Sequence, residues 1–254
     1  MKHLIPLTLV ALTLGTWHNA TAQNGEVTLI APGGIRAPLE QLIPGFERKT
    51  GYKVKATFGT GLVTKKQVAT GGDFDVPVVQ PPYPEVIASG NIVEKSATPL
   101  ATSAVGVAVK KGAPKPDIST ADAVKRLLLS AKSLTYPSAA SGAAAGVSFD
   151  EMCKKLGILE QVQAKYKPTQ TGAGAMGMTA RGEVEVGITF LSEMGEPGVD
   201  VVGALPKEIS TPTSFVGLLS SHPKNPAAAK ALLDYISSPE AMAVYKAKMM
   251  QPSR

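Results

Sequence analysis

EVTLIAPGGIRAPLEQLIPGFERKTGYKVKATFGTG, residues 26–61, decides the fold class. Glu26 to Ala31 has the composition of a strand, and Pro32-Gly33-Gly34 breaks it. Leu39, Leu42, Ile43 and Phe46 then recur at helical spacing, and Gly51 supplies a stop. Lys53 to Phe58 alternates as a second strand would, and the glycine-rich turn Gly59-Thr60-Gly61 leads into a polar helix.

Outward from this unit the alternation continues. Phe74 to Val79 reads as a strand closed by Gln80-Pro81-Pro82, and Ala104 to Val109 as another before a Pro-rich connector. Val124, Leu127, Leu128 and Ala131 mark a helix, Ser133 to Tyr136 a short strand, and Phe149, Met152, Cys153 and Leu156 the next helix. A helix over 175–181 precedes a strand over 186–190. Strands over 199–202 and 214–219 and helices over 225–237 and 239–248 close the chain. Such alternation predicts an α/β fold with mainly parallel sheets.

The 254 residues include one cysteine, Cys153, so no intramolecular disulfide can form. Residues 1–22 have the pattern of a secretory leader: Lys2, the apolar run Leu4 to Leu14, and a small-residue site at Ala20-Thr21-Ala22. Cleavage after Ala22 would leave 232 of the 254 residues, enough for one large domain or two lobes. A soluble, exported, periplasmic protein is expected. The net charge of +6, of which Lys2 supplies one, is spread in pairs such as Lys65-Lys66 and Lys154-Lys155, without interleaved aromatics. That pattern speaks for solvated lysines, not for nucleic-acid binding, and leaves a weak pull on anions.

In open α/β sheets, ligands bind beyond the carboxyl ends of strands. Small or glycine-rich residues stand there four times: 32–36, 59–61, 137–146 and 172–177. Each precedes a predicted helix, whose N-terminus offers unpaired N–H groups and partial positive charge. Gly172 to Gly177 matches the dinucleotide pattern G-x-G-x-x-G, but the polar segment 164–171, with Pro168, makes a poor strand before it. Metal-ligand clusters are absent, and His222 in a surface loop gives a histidine triad little support. Cys153 reads as core, and Glu193 and Glu196 as solvated loop charges. No cofactor and no metal are expected.

The order of motifs resembles the periplasmic molybdate-binding protein family, type 2 periplasmic binding proteins. The landmarks are FERKTGYKV at 46–54, FGTG at 58–61, FDV at 74–76, GEVEVGI at 182–188, NPAAAKALLDY at 225–235 and SPEA at 238–241. The resemblance implies two α/β lobes with a hinge: 23–104 and the return 206–254 form the first lobe, 105–205 the second. It further implies a monomer that closes on a small anion and hands it to a membrane ABC importer. Backbone donors would come from Gly33, Gly34, Gly61, Ala139, Gly174 and Ala175, hydroxyls from Thr60, Ser138 and Ser141.

The chain departs from the family at informative places. Pro32-Gly33-Gly34 stands where the family carries a serine ligand, and Phe190 matches its tyrosine. Arg36 adds a guanidinium, which pairs two-pronged with a carboxylate. These residues point to a small organic anion, a di- or tricarboxylate, with Lys65 as a second charge. The sequence is also similar to the aconitate isomerase branch of the same group, which implies proton transfer along an allylic tricarboxylate without a cofactor. Glu193, Tyr136 and Lys65 are candidates for a base, and no motif selects one.

Overall fold

The computed structural model describes residues 25–253. The leader pattern at 1–22 lies outside the described residues.

The chain opens with β1 (Glu26–Pro32), a 3-10 turn (Gly33–Ile35), α1 (Arg36–Thr50), β2 (Lys53–Gly59), α2 (Gly61–Ala69), β3 (Val76–Val79), α3 (Pro84–Ala88) and β4 (Ile92–Ser103). It continues through β5 (Val105–Lys110), α4 (Ala121–Ser130), β6 (Leu134–Pro137), α5 (Ala144–Lys155), α6 (Leu159–Gln163), β7 (Tyr166–Thr169), α7 (Gly172–Arg181), β8 (Val186–Phe190) and β9 (Val199–Ala204). It ends with β10 (Thr213–Ser220), α8 (Pro226–Ile236), α9 (Pro239–Ala247) and β11 (Gln251–Pro252).

Two sheets result, ordered β11-β4-β10-β3-β1-β2 and β7-β6-β8-β5-β9; both are mixed and not mainly parallel as expected, because the strands that carry the chain between them run antiparallel to their neighbours. Helix crossovers join the parallel pairs β1–β2 and β6–β7, and β1–β3 and β6–β8 also pair in parallel. The antiparallel connecting strands are β4 and β10 in the first sheet and β5 and β9 in the second, and the short β11 also pairs antiparallel with β4. The chain leaves the first sheet at Ala104 and returns to it after β9.

α1 buries Pro38, Leu39, Leu42 and Phe46 on one stripe. Its expected stop is present: Gly51 adopts φ 80° and donates its N–H to the Glu47 carbonyl. The core is continuous between the sheets, because Val105, Phe190, Leu205 and Phe215 belong to the same cluster as Leu29, Phe46, Leu128 and Phe149. Phe190 and Phe215 meet edge to face across the junction, with centroids 6.1 Å apart.

Two segments differ from the sequence expectation. Residues 166–169 do form a strand, β7, paired in parallel with β6 alone at the sheet edge. An edge tolerates Pro168 and polar residues, because one side of the strand needs no ladder donors. Residues 92–103 form β4, which the periodicity missed. Its consecutive exposed residues Val93, Glu94 and Lys95 follow no clean alternation, and its pairing with β10 is interrupted twice by register shifts.

Asp75, 1% exposed, braces the first sheet. It accepts the Thr28 N–H at 2.7 Å, the Thr28 hydroxyl at 2.8 Å and the Lys224 N–H at 2.6 Å. Asp75→Ala orphans all three donors, so urea unfolding should show a loss on the order of 3 kcal/mol. Cys153 is fully buried, and burial, helped by the Asp150 charge, pushes its thiol up to about 12. A thiol reagent should therefore label the native chain only at the rate of unfolding, and rapid labelling of the folded protein would contradict this packing.

Candidate functional site

The carboxyl ends of β1, β2, β6 and β8 converge on a void of about 40 Å³ between the two sheets. That is room for a few water-sized groups or one compact anionic head. Pro32, Gly33, Gly34 and Gly59 line it from the first sheet, and Pro137, Gly172 and Phe190 from the second.

Small residues permit this convergence. A Cβ on Gly34 would lie 2.7 Å from the Phe190 ring and 2.9 Å from Phe215. A Cβ on Gly61 would collide with the Gln80 amide, and one on Gly146 with the Pro137 carbonyl. The run of small residues after Pro137 thus lets α5 start directly against the end of β6.

Helix caps set the polarity. α2, α4, α7, α8 and α9 each have a side-chain cap: Thr60, Thr120, Thr171, Asn225 and Ser238. α1 and α5 have no side-chain cap; Gly33-Gly34, in the 3-10 turn that leads into α1, and Ala143 to Ala145, where α5 begins, line the void. First-turn N–H groups without a cap are available to an anion.

The mouth is held by direct contacts between the two halves. Thr60 donates its hydroxyl to the Ser141 carbonyl at 2.8 Å, and Leu62 donates its N–H to the Gly142 carbonyl at 3.3 Å. On the opposite side Ser192 donates its hydroxyl to the Gly34 carbonyl at 2.6 Å, and lies 3.0 Å from the Ser103 hydroxyl.

Glu193 is not the solvated loop charge its sequence context predicts. It lines the void between Gly33 and Gly172, and accepts the Thr189 hydroxyl proton at 2.6 Å. Solvent reaches part of the residue through the void, yet protein atoms crowd the carboxyl. Burial raises its pKa above the usual carboxylate value, against smaller opposing effects of the Thr189 hydroxyl and the Phe190 backbone. Glu196 is exposed.

The void opens into a larger cavity of about 620 Å³ that shares Gly33, Thr60, Thr171 and Glu193 with it. Arg36 and Lys248 line this outer cavity. The Arg36 guanidinium lies 5.3 Å from the Phe58 ring centroid and pairs with Glu40 at 2.7 Å, with side chains about half exposed. Such a pair contributes little stability and is easily exchanged.

The residues named from sequence therefore separate into groups. Gly33, Gly34, Thr60, Gly61 and Phe190 line the inner void, and Arg36 the outer cavity. Ser138, Ala139 and Ser141 line neither: the 3-10 turn 139–141 carries them to the mouth, where Ser141 donates its hydroxyl to the Ser138 carbonyl at 2.7 Å. Gly174 and Ala175 also stand back, because α7 begins at Gly172; Gln170, Thr171 and Gly172 take that place. The glycines of 172–177 lie inside the helix, so they form no phosphate loop. Tyr136 is buried and donates its hydroxyl to Asp150 at 2.8 Å, while Lys65 is drawn to the Pro82 carbonyl at 3.0 Å. Neither reaches the cleft lining. Gln80 and Gln170 went unnoticed, since a lone glutamine after a strand carries no motif.

Comparison with known proteins bears on this geometry. The profile of the bacterial extracellular solute-binding protein family matches residues 27–249. The chain is similar to an aconitate isomerase of Pseudomonas sp, 32% identical over 97% of this chain and 95% of that one. It is similar to the molybdate-binding protein of Escherichia coli, 24% identical over 93% of each chain. Its fold matches the periplasmic molybdate-binding protein of Azotobacter vinelandii with a TM-score of 0.74, at 18% identity, covering 88% of this chain and 98% of that one.

The mouth contacts generate one test. Gly142 has φ 74°, and a Cβ there would collide with the Leu62 side chain. Gly142→Ala should cost roughly 1–2 kcal/mol in stability through the left-handed backbone alone. It should also hold the mouth apart, giving a larger radius of gyration in small-angle scattering. An unchanged radius would mean that these contacts do not set the degree of closure.

Proposed function

The chain belongs to the bacterial extracellular solute-binding protein family, and from that premise we propose that it captures a small organic polycarboxylate in the cleft between its sheets. The observation that carries this reading is the pairing of two spaces. The void of about 40 Å³ suits one carboxylate between the Gly33-Gly34 turn and the uncapped start of α5. The adjoining cavity of about 620 Å³ presents Arg36 and Lys248 to the remaining carboxylates. Arg36 would exchange its single Nε contact with Glu40 for a ligand carboxylate, so the guanidinium stays paired. A bare tetrahedral oxyanion would fill the inner void and leave the cations unused.

Segments 23–104 and 206–254 would move as one lobe and 105–205 as the other, hinged where Phe190 meets Phe215. Exported to the periplasm, the closed monomer would deliver its anion to an ABC importer.

A second reading is favoured by a specific observation. The Pseudomonas relative is an aconitate isomerase, and Glu193 is an enclosed carboxyl at the cleft floor. Interconverting the aconitates requires a proton to leave one allylic carbon and return at the other as the double bond shifts. A single carboxyl beside the substrate can take and return that proton without net consumption. On this reading Glu193 is the base.

Calorimetry or thermal shift of the purified chain against citrate, both aconitates, molybdate, sulfate and phosphate tests the capture reading. Ligand at a hundred times its dissociation constant should add about 2.7 kcal/mol of stability. Stabilisation by tricarboxylates, weakened about tenfold or more in Arg36→Ala, is expected. A response to molybdate alone would overturn it. Incubation with trans-aconitate and chromatographic detection of the cis isomer separates the readings, since binding without conversion leaves a carrier.

A further inference from the structure

We propose that Glu193 holds a proton against the bound anion, so that the cleft takes up its ligand together with H⁺. The proposal rests on the capture reading above and assigns the site a proton linkage that capture alone does not require.

The basis is where the carboxyl sits. Glu193 borders both the inner void and the outer cavity, so an anion that spans them must pass it. A Cβ on Gly33 would stand 3.5 Å from Glu193 Oε1, and one on Gly172 would overlap the carboxyl itself. The side chain thus fills the gap that two glycines leave between the halves of the molecule. Its two oxygens are not equivalent. Oε2 accepts the Thr189 hydroxyl proton at 2.6 Å, and Oε1 is directed to the Gly33 side of the void.

The charged groups around it do not neutralise it. Arg36 and Glu40 on α1, Lys248 after α9, and Glu196 line the same outer cavity. Arg36 is paired with Glu40 at 2.7 Å, and no ion pair to Glu193 occurs among the described residues. An ionised Glu193 would therefore confront an incoming carboxylate in a partly enclosed space, where like charges repel more strongly than in bulk water. A protonated Glu193 offers an O–H on Oε1 that donates to a ligand oxygen instead. The upward shift of its pKa by burial acts in the same direction. The proton comes from solvent when the anion enters and returns on release, and only O–H bonds change.

The experiment is titration calorimetry of the full chain with tricarballylate, a saturated tricarboxylate without a double bond to shift. It is run in buffers of different ionisation enthalpy, from mildly acidic to mildly alkaline pH. Wild type should take up as much as one proton per ligand and lose affinity by about tenfold per pH unit above the Glu193 titration. Glu193→Gln should lose this component, leaving only the titration of the ligand itself. No uptake in wild type, or an unchanged pH slope in Glu193→Gln, overturns the proposal. Absence of binding to wild type is a different failure, that of the capture reading, and removes the proposal with it.

A ligand-free measurement guards against a variant that binds nothing. With its folded pKa raised above 4.5, Glu193 contributes stability at low pH that is lost as pH rises through its titration. The Tm of Glu193→Gln relative to wild type should therefore climb with pH. A constant difference would show that Glu193 carries no retained proton and would overturn the proposal.

Discussion

The contact between the turn that ends β1 and the turn that ends β8 holds the molecule in register. Ser192 donates to the Gly34 carbonyl, Phe190 lies where any Cβ on Gly34 would be, and Phe215 closes the junction from the first sheet. Without this close approach the two sheets would be joined, beyond the chain crossings and neighbouring core, only by the Thr60–Ser141 and Leu62–Gly142 hydrogen bonds. The approach demands glycine on one side and a flat ring on the other. The Ser192–Gly34 hydrogen bond is buried, which strengthens it.

The opposite side is built differently. Its contacts are one hydroxyl and one N–H directed at the carbonyls of Ser141 and Gly142. Water can replace both at modest cost. A buried aromatic junction thus stands on one side and a few exchangeable hydrogen bonds on the other, an asymmetry that the proposed hinge would use. The glycines and alanines that line the interior keep the walls thin, so the helix starts of α1 and α5 stand close to whatever lies between.

Glu193 is the exception in this lining, a carboxyl where small and neutral groups otherwise prevail. Fold alone does not decide what such a group does, because the same two-lobed frame supports both capture and chemistry. The decision rests with local geometry: a carboxyl held by Thr189, pressed between two glycines, and open to the cavity that carries Arg36.

Much of this was legible in the chain itself. The alternation from Glu26 to Gly61, the stop at Gly51 and the glycine-rich ends of strands follow from local sterics and hydrophobic spacing, which neighbouring residues determine. So the α/β architecture and the place of Gly33, Gly34, Thr60 and Gly61 at strand ends could be read without coordinates, and Phe190 was named through the family resemblance; all five line the void. What depends on contacts distant in sequence could not. Ser141 turned away because a 3-10 turn met α2, about 80 residues earlier. β7 was accepted as a strand because it lies at an edge. Glu193 became enclosed only when Gly33 and Gly172, far apart in the chain, closed on it. Local propensity is a property of a few adjacent residues, whereas burial, and with it the protonation of a carboxyl, belongs to the assembled structure.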